Sequence, residues 1–295
     1  MKVLVTGING FVGQYLRREL ESRGHDVRGL DIISNDNKVF RADILDSGML
    51  NNVLKEAAPD SVIHLAAISS VDHSDPSALY NNNFNGTVNL LNACRELEQK
   101  PCFLFISSSQ VYGNVPADKL PIDETFPVNP VNHYGAAKAA AEMAVMAFSA
   151  EYGLPYVIVR PFNHTGPGQT DRFVVPKIIN GFREMAEFIE LGNIDTIRDF
   201  TDVRDVVKAY VSILENFKSG NVYNVSSGIG ITVEEIFEML KRISGHNMNI
   251  KKRELLLRGN EIWSVIGNSS LLRESTGWRP EILIESTLKD MLDKY

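Results

Sequence analysis

Tyr134 and Lys138 stand four positions apart at the head of an alanine-rich stretch, so a helix there puts both on one face. An ammonium beside a phenol stabilises the phenolate. The spacing therefore predicts a tyrosine drawn down from its ordinary pKa of about 10 and able to trade a proton with a substrate oxygen. A second cluster, Ser107-Ser108-Ser109-Gln110, follows the apolar run Cys102-Phe103-Leu104-Phe105-Ile106, which reads as a buried strand. Its hydroxyls then sit at the carboxyl end of that strand, where open α/β sheets place their chemistry. A third group opens the chain. Lys2-Val3-Leu4-Val5-Thr6 is a strand run, Gly7, Gly10 and Gly13 follow at three-residue intervals, and a helical period begins at Phe11-Val12. Strand, tight turn and helix in that order make a dinucleotide site, with free N–H groups at the helix start facing a pyrophosphate.

The glycine spacing is G-x-x-G-x-x-G, a departure from the usual G-x-G-x-x-G, so its context carries the assignment. The strand Asp26-Val27-Arg28-Gly29-Leu30 ends at Asp31, an acid at the distance expected to accept the ribose hydroxyls of adenosine. That favours NAD(H), while Arg28 and Arg41 nearby keep NADP(H) open. Asn9, Phe11 and Val12 lie in the loop and belong to the same cradle. Asp43 and Ile44 follow a further strand. Asp43 reads either as a contact to adenine or as a cap for the helix that starts near Ser47.

The strand Ser61-Val62-Ile63-His64 ends in Leu65-Ala66-Ala67, small enough to let a cofactor lie close, and His64 reads as a packed core histidine. A long helix is expected over 77–99. Its polar run Asn81-Asn82-Asn83-Phe84-Asn85 is unusual, because asparagine is a poor helix former, and Asn83 is placed with the cofactor. Further helices are expected over 173–182 and 203–217, with a Thr232/Glu235 capping box before another ending near Ile243. Strands are expected at Tyr156-Val157-Ile158-Val159-Arg160, leading to Pro161, at Phe188-Ile189-Glu190-Leu191-Gly192 and at Asn221-Val222-Tyr223-Asn224-Val225. Strands alternating with helices imply right-handed crossovers and a parallel sheet. The fold class is α/β: a Rossmann-type doubly wound parallel sheet with a smaller, discontinuous C-terminal α/β substrate lobe. The large domain is expected over 1–165, with 195–220 returning to it, and the lobe over 166–194 and 221–295.

The 295 residues are enough for a sizeable core without disulfides or metal. Thirty basic and 37 acidic residues, interleaved, leave a net charge of −7 and no nucleic-acid surface. Cys94 and Cys102 have no partner pattern and read as buried free thiols. No targeting segment or bilayer-length apolar run is present, so a cytoplasmic protein without membrane association is expected.

Assembled in order, these motifs resemble the extended short-chain dehydrogenases/reductases that act on nucleotide sugars. The resemblance runs from Thr6-Gly7 through the His64–Ala67 strand end, Ser107-Ser108-Ser109 with Val111-Tyr112-Gly113, Tyr134 with Lys138, and Arg160-Pro161, to Gly277-Trp278 with Pro280. Within that family, the stretches 160–169 and 198–205 are most similar to GDP-4-keto-6-deoxy-D-mannose reductases, near relatives of the GDP-mannose 4,6-dehydratases. The resemblance implies that Ser108 binds the sugar O4, Tyr134 donates the proton, and Lys138 holds the nicotinamide ribose. It adds Ser107 and Pro161 to the cofactor site. Ser109, Gln110, Asn163, Arg172, Lys177, Arg198, Arg258 and Glu261 would hold the nucleotide sugar, with Phe173, Val174, Val175 and Leu191 as walls for its base. Arginines suit that task because two phosphates call for planar bidentate donors.

Two departures choose among the activities. Dehydratases of this family carry a glutamate base where this chain has Gln110 and an acid where it has Ser109. An amide has no basic carboxylate with which to take the C5 proton. What remains is reduction of the C4 ketone of a GDP-4-keto-6-deoxy sugar by NAD(P)H. A nucleotide-sugar 4-epimerase with retained NAD uses the same three residues, and a binding-only NAD sensor would have no need of the tyrosine–lysine pair. The helices over 77–99 and 134–152 resemble those that pair in homodimers of the family.

Overall fold

The computed structural model describes residues 1–34, 36–69, 71, 73–253 and 262–293. Seven strands form its principal sheet: β1 (Lys2–Thr6), β2 (Asp26–Asp31), β3 (Val39–Arg41), β4 (Ser61–His64), β5 (Cys102–Ile106), β6 (Tyr156–Pro161) and β10 (Val222–Val225). Their order is β10-β6-β5-β4-β1-β2-β3, and every neighbouring pair is parallel. Parallel strands demand crossovers, and helices on both faces provide them. On one face lie α1 (Phe11–Ser22), α7 (Val203–Glu215) and α9 (Ser270–Thr276). On the other lie α2 (Ser47–Ala57), α4 (Gly86–Arg95) and α5 (His133–Tyr152). The pleat sorts side chains between them. In β5, Leu104 and Ile106 enter the first core while Phe103 and Phe105 enter the second.

A smaller unit is built from β7 (Asn163–Thr165), β9 (Ile197–Asp202), β11 (Gly230–Thr232) and β13 (Ser264–Val265), with β9 central. Beside it, β8 (Phe188–Leu191) pairs with β12 (Asn249–Lys252). Helices α6 (Val174–Arg183), α8 (Val233–Ser244) and α10 (Ile284–Asp293) share a third core with these strands. Helix α8 begins with the expected capping box, Thr232 accepting from Glu235 N–H and Glu235 reaching back.

Sheet membership shifts the expected boundaries in two places. Val222–Val225, expected in the lobe, closes the large sheet beside β6, and Ile197–Asp202, expected to return to the large domain, is the centre of the small sheet. The expected helix over 77–99 is also interrupted. A short α3 (Pro76–Tyr80) passes into a π turn, Asn81–Asn85, before α4 begins. Among the described residues no helix is long and apolar enough to cross a membrane. Nor, among them, do three or more His, Cys, Asp or Glu side chains converge as a metal site.

Candidate active site

Because the large sheet is parallel, the loops after β1, β2, β4, β5 and β6 meet along one edge. The first of them is shaped by glycine. Gly7 has φ +70, and a Cβ there would sit 2.9 Å from Ala66 N. A Cβ at Gly13 would lie 2.4 Å from the Gly7 carbonyl, so α1 packs this closely only without a side chain. No side chain caps α1, which leaves the first N–H groups of the helix, on Phe11, Val12 and Gly13, to an outside anion. Beyond it Asp31 ends β2, its carboxylate accepting from Asn9 N–H at 3.0 Å and Ile33 N–H at 3.4 Å. The Asn9 amide itself donates to the Ile33 carbonyl at 2.7 Å and ties the two loops together. A glycine cradle with uncapped donors and an acid at the next strand end fits a dinucleotide.

Several residues expected to touch the cofactor have other work. Asn83 is buried, and its amide both accepts from Ile68 N–H at 2.8 Å and donates to the Ile68 carbonyl at 3.0 Å. It shapes the loop after β4, where Leu65, Ala66 and Ala67 lie half-buried, and so acts on that wall from behind. The Ile44 side chain is in the core against Gly86, leaving its main chain for contact. Asp43 is exposed and accepts from Leu45 N–H, while the α2 cap is Asp46. The Ser107 hydroxyl donates to Glu142, which leaves the Ser107 main chain, and Pro161 is buried at the end of β6.

The pair expected to act on the substrate sits at the carboxyl end of β5, two strands from the glycine loop after β1. The Asn132 side chain caps α5 by accepting from Gly135 N–H, and the first turns of the helix present Tyr134 and Lys138. Tyr134 faces Ser108, which draws its pKa down, and Ser108 Oγ accepts from Gln110 N–H at 3.2 Å. Lys138 Nζ donates to the Ile106 carbonyl at 2.8 Å and lies 5.0 Å from the centre of the Phe105 ring. The expected lowering of the Tyr134 pKa is not found: burial raises it, against a smaller opposite effect of Ser108. Burial also brings Lys138 down to about 8, with Glu142 opposing. A phenol kept protonated at neutral pH serves as a proton donor. His64 is a core histidine, bonded to Thr6 and Thr87 and held neutral by burial and by Lys138, with a pKa of about 3.

On the substrate side, Ser109 is buried beside Ser108, and Gln110 Oε1 accepts from Asn132 Nδ2 at 2.9 Å. Asn163 begins β7, Arg172 is exposed on the loop before α6, and Lys177 Nζ donates to the Glu190 carbonyl at 2.8 Å. Arg198 on β9 donates to the Ile197 carbonyl at 2.9 Å. Arg258 and Glu261 lie outside the described residues. Val175 and Leu191 are buried in the third core and cannot wall a base, which leaves exposed Phe173 and half-buried Val174.

Composition and spacing gave no sign of the supports around this site. Asp199 is fully buried and collects Ser227 N–H at 2.8 Å, Ser227 Oγ at 2.5 Å, Gly228 N–H at 2.9 Å and Gly267 N–H at 3.1 Å, gathering three segments beside Arg198. Asp205 likewise accepts from Glu281 and Ile282 N–H groups, both at 2.7 Å. Phe11 stacks on His164, rings 7° from parallel, and Tyr15 donates to the Pro167 carbonyl at 2.7 Å, so α1 is tied to the segment after β6.

The sequence profile of the family described as GDP-mannose 4,6 dehydratase matches residues 4–291. The chain is 36% identical over 301 residues to GDP-6-deoxy-D-mannose reductase of Pseudomonas aeruginosa, covering 100% of this chain and 97% of the relative. It is 35% identical to GDP-6-deoxy-D-talose 4-dehydrogenase of Aggregatibacter actinomycetemcomitans, covering 94% and 92%. The structure of RMD from Pseudomonas aeruginosa complexed with NADPH superposes with a TM-score of 0.89 at 35% identity, covering 99% and 98% of the two chains.

Proposed function

Given that the chain belongs to the family described as GDP-mannose 4,6 dehydratase, we propose that it reduces the C4 ketone of a GDP-4-keto-6-deoxy-hexose to the alcohol, using NAD(P)H. The observation that carries this reading is the convergence of Ser108, at the carboxyl end of β5, with Tyr134 and Lys138 from the first turns of α5, Lys138 Nζ tying the helix to the Ile106 carbonyl at 2.8 Å. A ketone reduction needs a hydride at carbon and a proton at oxygen. The nicotinamide supplies the hydride. Tyr134 delivers the proton to O4, and Ser108 polarises the same oxygen as charge develops there. Lys138 holds the nicotinamide ribose, and its ammonium offsets the negative charge left on the phenol as it gives up its proton. Asp31 accepts the adenosine ribose hydroxyls, which favours NADH, and a relative complexed with NADPH keeps both cofactors in view.

Gln110 supports reduction over dehydration. Its amide oxygen faces the Asn132 amide, so position 110 holds no base for a C5 proton. Asn163, Arg172, Lys177 and Arg198 are assigned to the diphosphate sugar, with Phe173 and Val174 beside the base. The dinucleotide-binding unit comprises the large sheet with its flanking helices, and the small sheet with α6, α8 and α10 forms the substrate lobe. The chain acts in the cytoplasm as a homodimer paired through α3–α4 and α5. Exposed Met143 and Tyr152 on α5 support that pairing.

Incubation with NADH or NADPH and GDP-4-keto-6-deoxymannose, followed by absorbance and NMR of the sugar, tests the reading. One reduced cofactor consumed per ketone is expected. Tyr134→Phe should lose about 10²- to 10⁴-fold in kcat with KM little changed. No net consumption, with epimerisation of a 4-hydroxy nucleotide sugar and no added reductant, would replace the reductase by an epimerase.

A further inference from the structure

We propose that Glu142 is a positioning residue for this reduction: it registers the strand end carrying Ser108 against the helix carrying Tyr134, and it keeps Lys138 charged. The inference rests on the reductase reading above. Lys138 and Glu142 are one turn apart on α5, and both reach the end of β5. Lys138 Nζ donates to the Ile106 carbonyl at 2.8 Å, while Glu142 Oε1 accepts from the Ser107 hydroxyl at 2.5 Å. The two side chains thus grip consecutive residues, and the next in line is Ser108.

The Glu142 carboxylate is fully buried and is completed by Arg160 on β6, through Nε at 3.0 Å and Nη2 at 2.6 Å. Arg160 Nη1 donates onward to the Tyr112 hydroxyl at 3.0 Å, which donates to Asn224 on β10 at 2.7 Å. Bonded from the end of β5 and from β6, and braced through Arg160 and Tyr112 against β10, the carboxylate has little freedom to move. Replacing a buried ion pair by apolar side chains of similar volume is often neutral or stabilising, so packing alone does not call for charge here. What an apolar pair cannot supply is a negative field one turn from Lys138, where burial opposes the ammonium.

The other titratable groups around Lys138 do not substitute for it. His64 on β4 is neutral, Tyr134 on α5 and Tyr210 on α7 are phenols whose pKa values burial raises, and Tyr112 is likewise pushed up to about 12. Arg160 on β6 is a cation already engaged by the carboxylate. Among the described residues, Glu142 is the acid that faces this group.

The test is an NMR titration of the Lys138 ammonium in the purified full-length protein, paired with the pH profile of kcat. In Glu142→Gln the Lys138 midpoint should fall by about one pH unit. The alkaline limb of kcat should move with it, and KM for the nucleotide sugar should stay within about twofold. Glu142→Gln strands a buried guanidinium, so Glu142→Gln/Arg160→Gln, which removes both charges, is measured beside it and should show a fall of the same sign but smaller, because a cation is lost with the anion. A purely structural role lowers the melting temperature and leaves the midpoint in place. An unshifted midpoint in either folded variant overturns the proposal. The titration needs no substrate, so a Lys138 that shifts as expected in a protein unable to reduce the keto sugar sinks the reductase reading and upholds the charge effect.

Discussion

Lys138→Met should stabilise the protein at neutral pH while abolishing its activity. The structure places the Lys138 ammonium in the core, with its pKa brought from 10.5 to about 8. Because the folded-state pKa lies below the unfolded one, the folded chain binds fewer protons between pH 8 and 10.5, and stability rises with pH across that window. At pH 7, below both values, keeping the lysine charged costs the fold about 3 kcal/mol, from about 2.5 pH units at 1.36 kcal/mol each. Methionine removes this cost and keeps its sulfur near the Phe105 ring, but it loses the hydrogen bond to the Ile106 carbonyl, about 1 kcal/mol. A net gain of about 2 kcal/mol follows, read as a higher midpoint in urea at an unchanged slope. At pH 9.5 the charge term is down to about 1 kcal/mol, so the advantage should nearly vanish. A variant less stable than wild type at pH 7, or a gain independent of pH, would refute the argument that this lysine is charged against its surroundings.

Two further outcomes follow from the supports of the site. Gly13→Ala sets a methyl 2.4 Å from one main-chain oxygen and 2.5 Å from another, neither of which can move without opening the cofactor loop. Cofactor affinity should fall at least about tenfold by fluorescence titration, about 1.4 kcal/mol, more than a surface substitution costs. Asp199→Ala leaves the N–H groups of Ser227, Gly228 and Gly267 without their acceptor. A stability loss of about 3 kcal/mol in urea is expected, with a raised KM for the nucleotide sugar; a loss under about 1 kcal/mol would mean water replaces the carboxylate freely.

Much of the arrangement was legible because it is local. Gly7, Gly10 and Gly13, the Tyr134/Lys138 step and the Thr232/Glu235 box each depend on residues within a few positions, and period and spacing report such relations directly. The roles of Asn83 and Glu142 depend on Ile68, Ser107 and Arg160, whose proximity only the folded chain creates. The asparagine run illustrates the boundary. Its poor helix propensity was visible in composition, but the π turn and the bond from Asn83 to Ile68 were not. Tyr134 failed in the opposite way: the lysine was found, but the depth of burial that outweighs its charge is not a property of spacing.

The position of β10 has a consequence for how the molecule is made. The strand that flanks β6 in the large sheet is separated from it in the chain by the β7–β9 segments and α7. Until Val222–Val225 has been synthesised, the six earlier strands present Tyr156–Pro161 as a bare edge, an open template for pairing with another nascent chain. A fragment cut at 165 therefore retains every residue of the glycine cradle and the Ser108–Tyr134–Lys138 group, yet it ends in an unprotected border. Dissecting the protein at its apparent domain junction should yield an aggregate, and a soluble cofactor-binding unit requires the later strand to be grafted back.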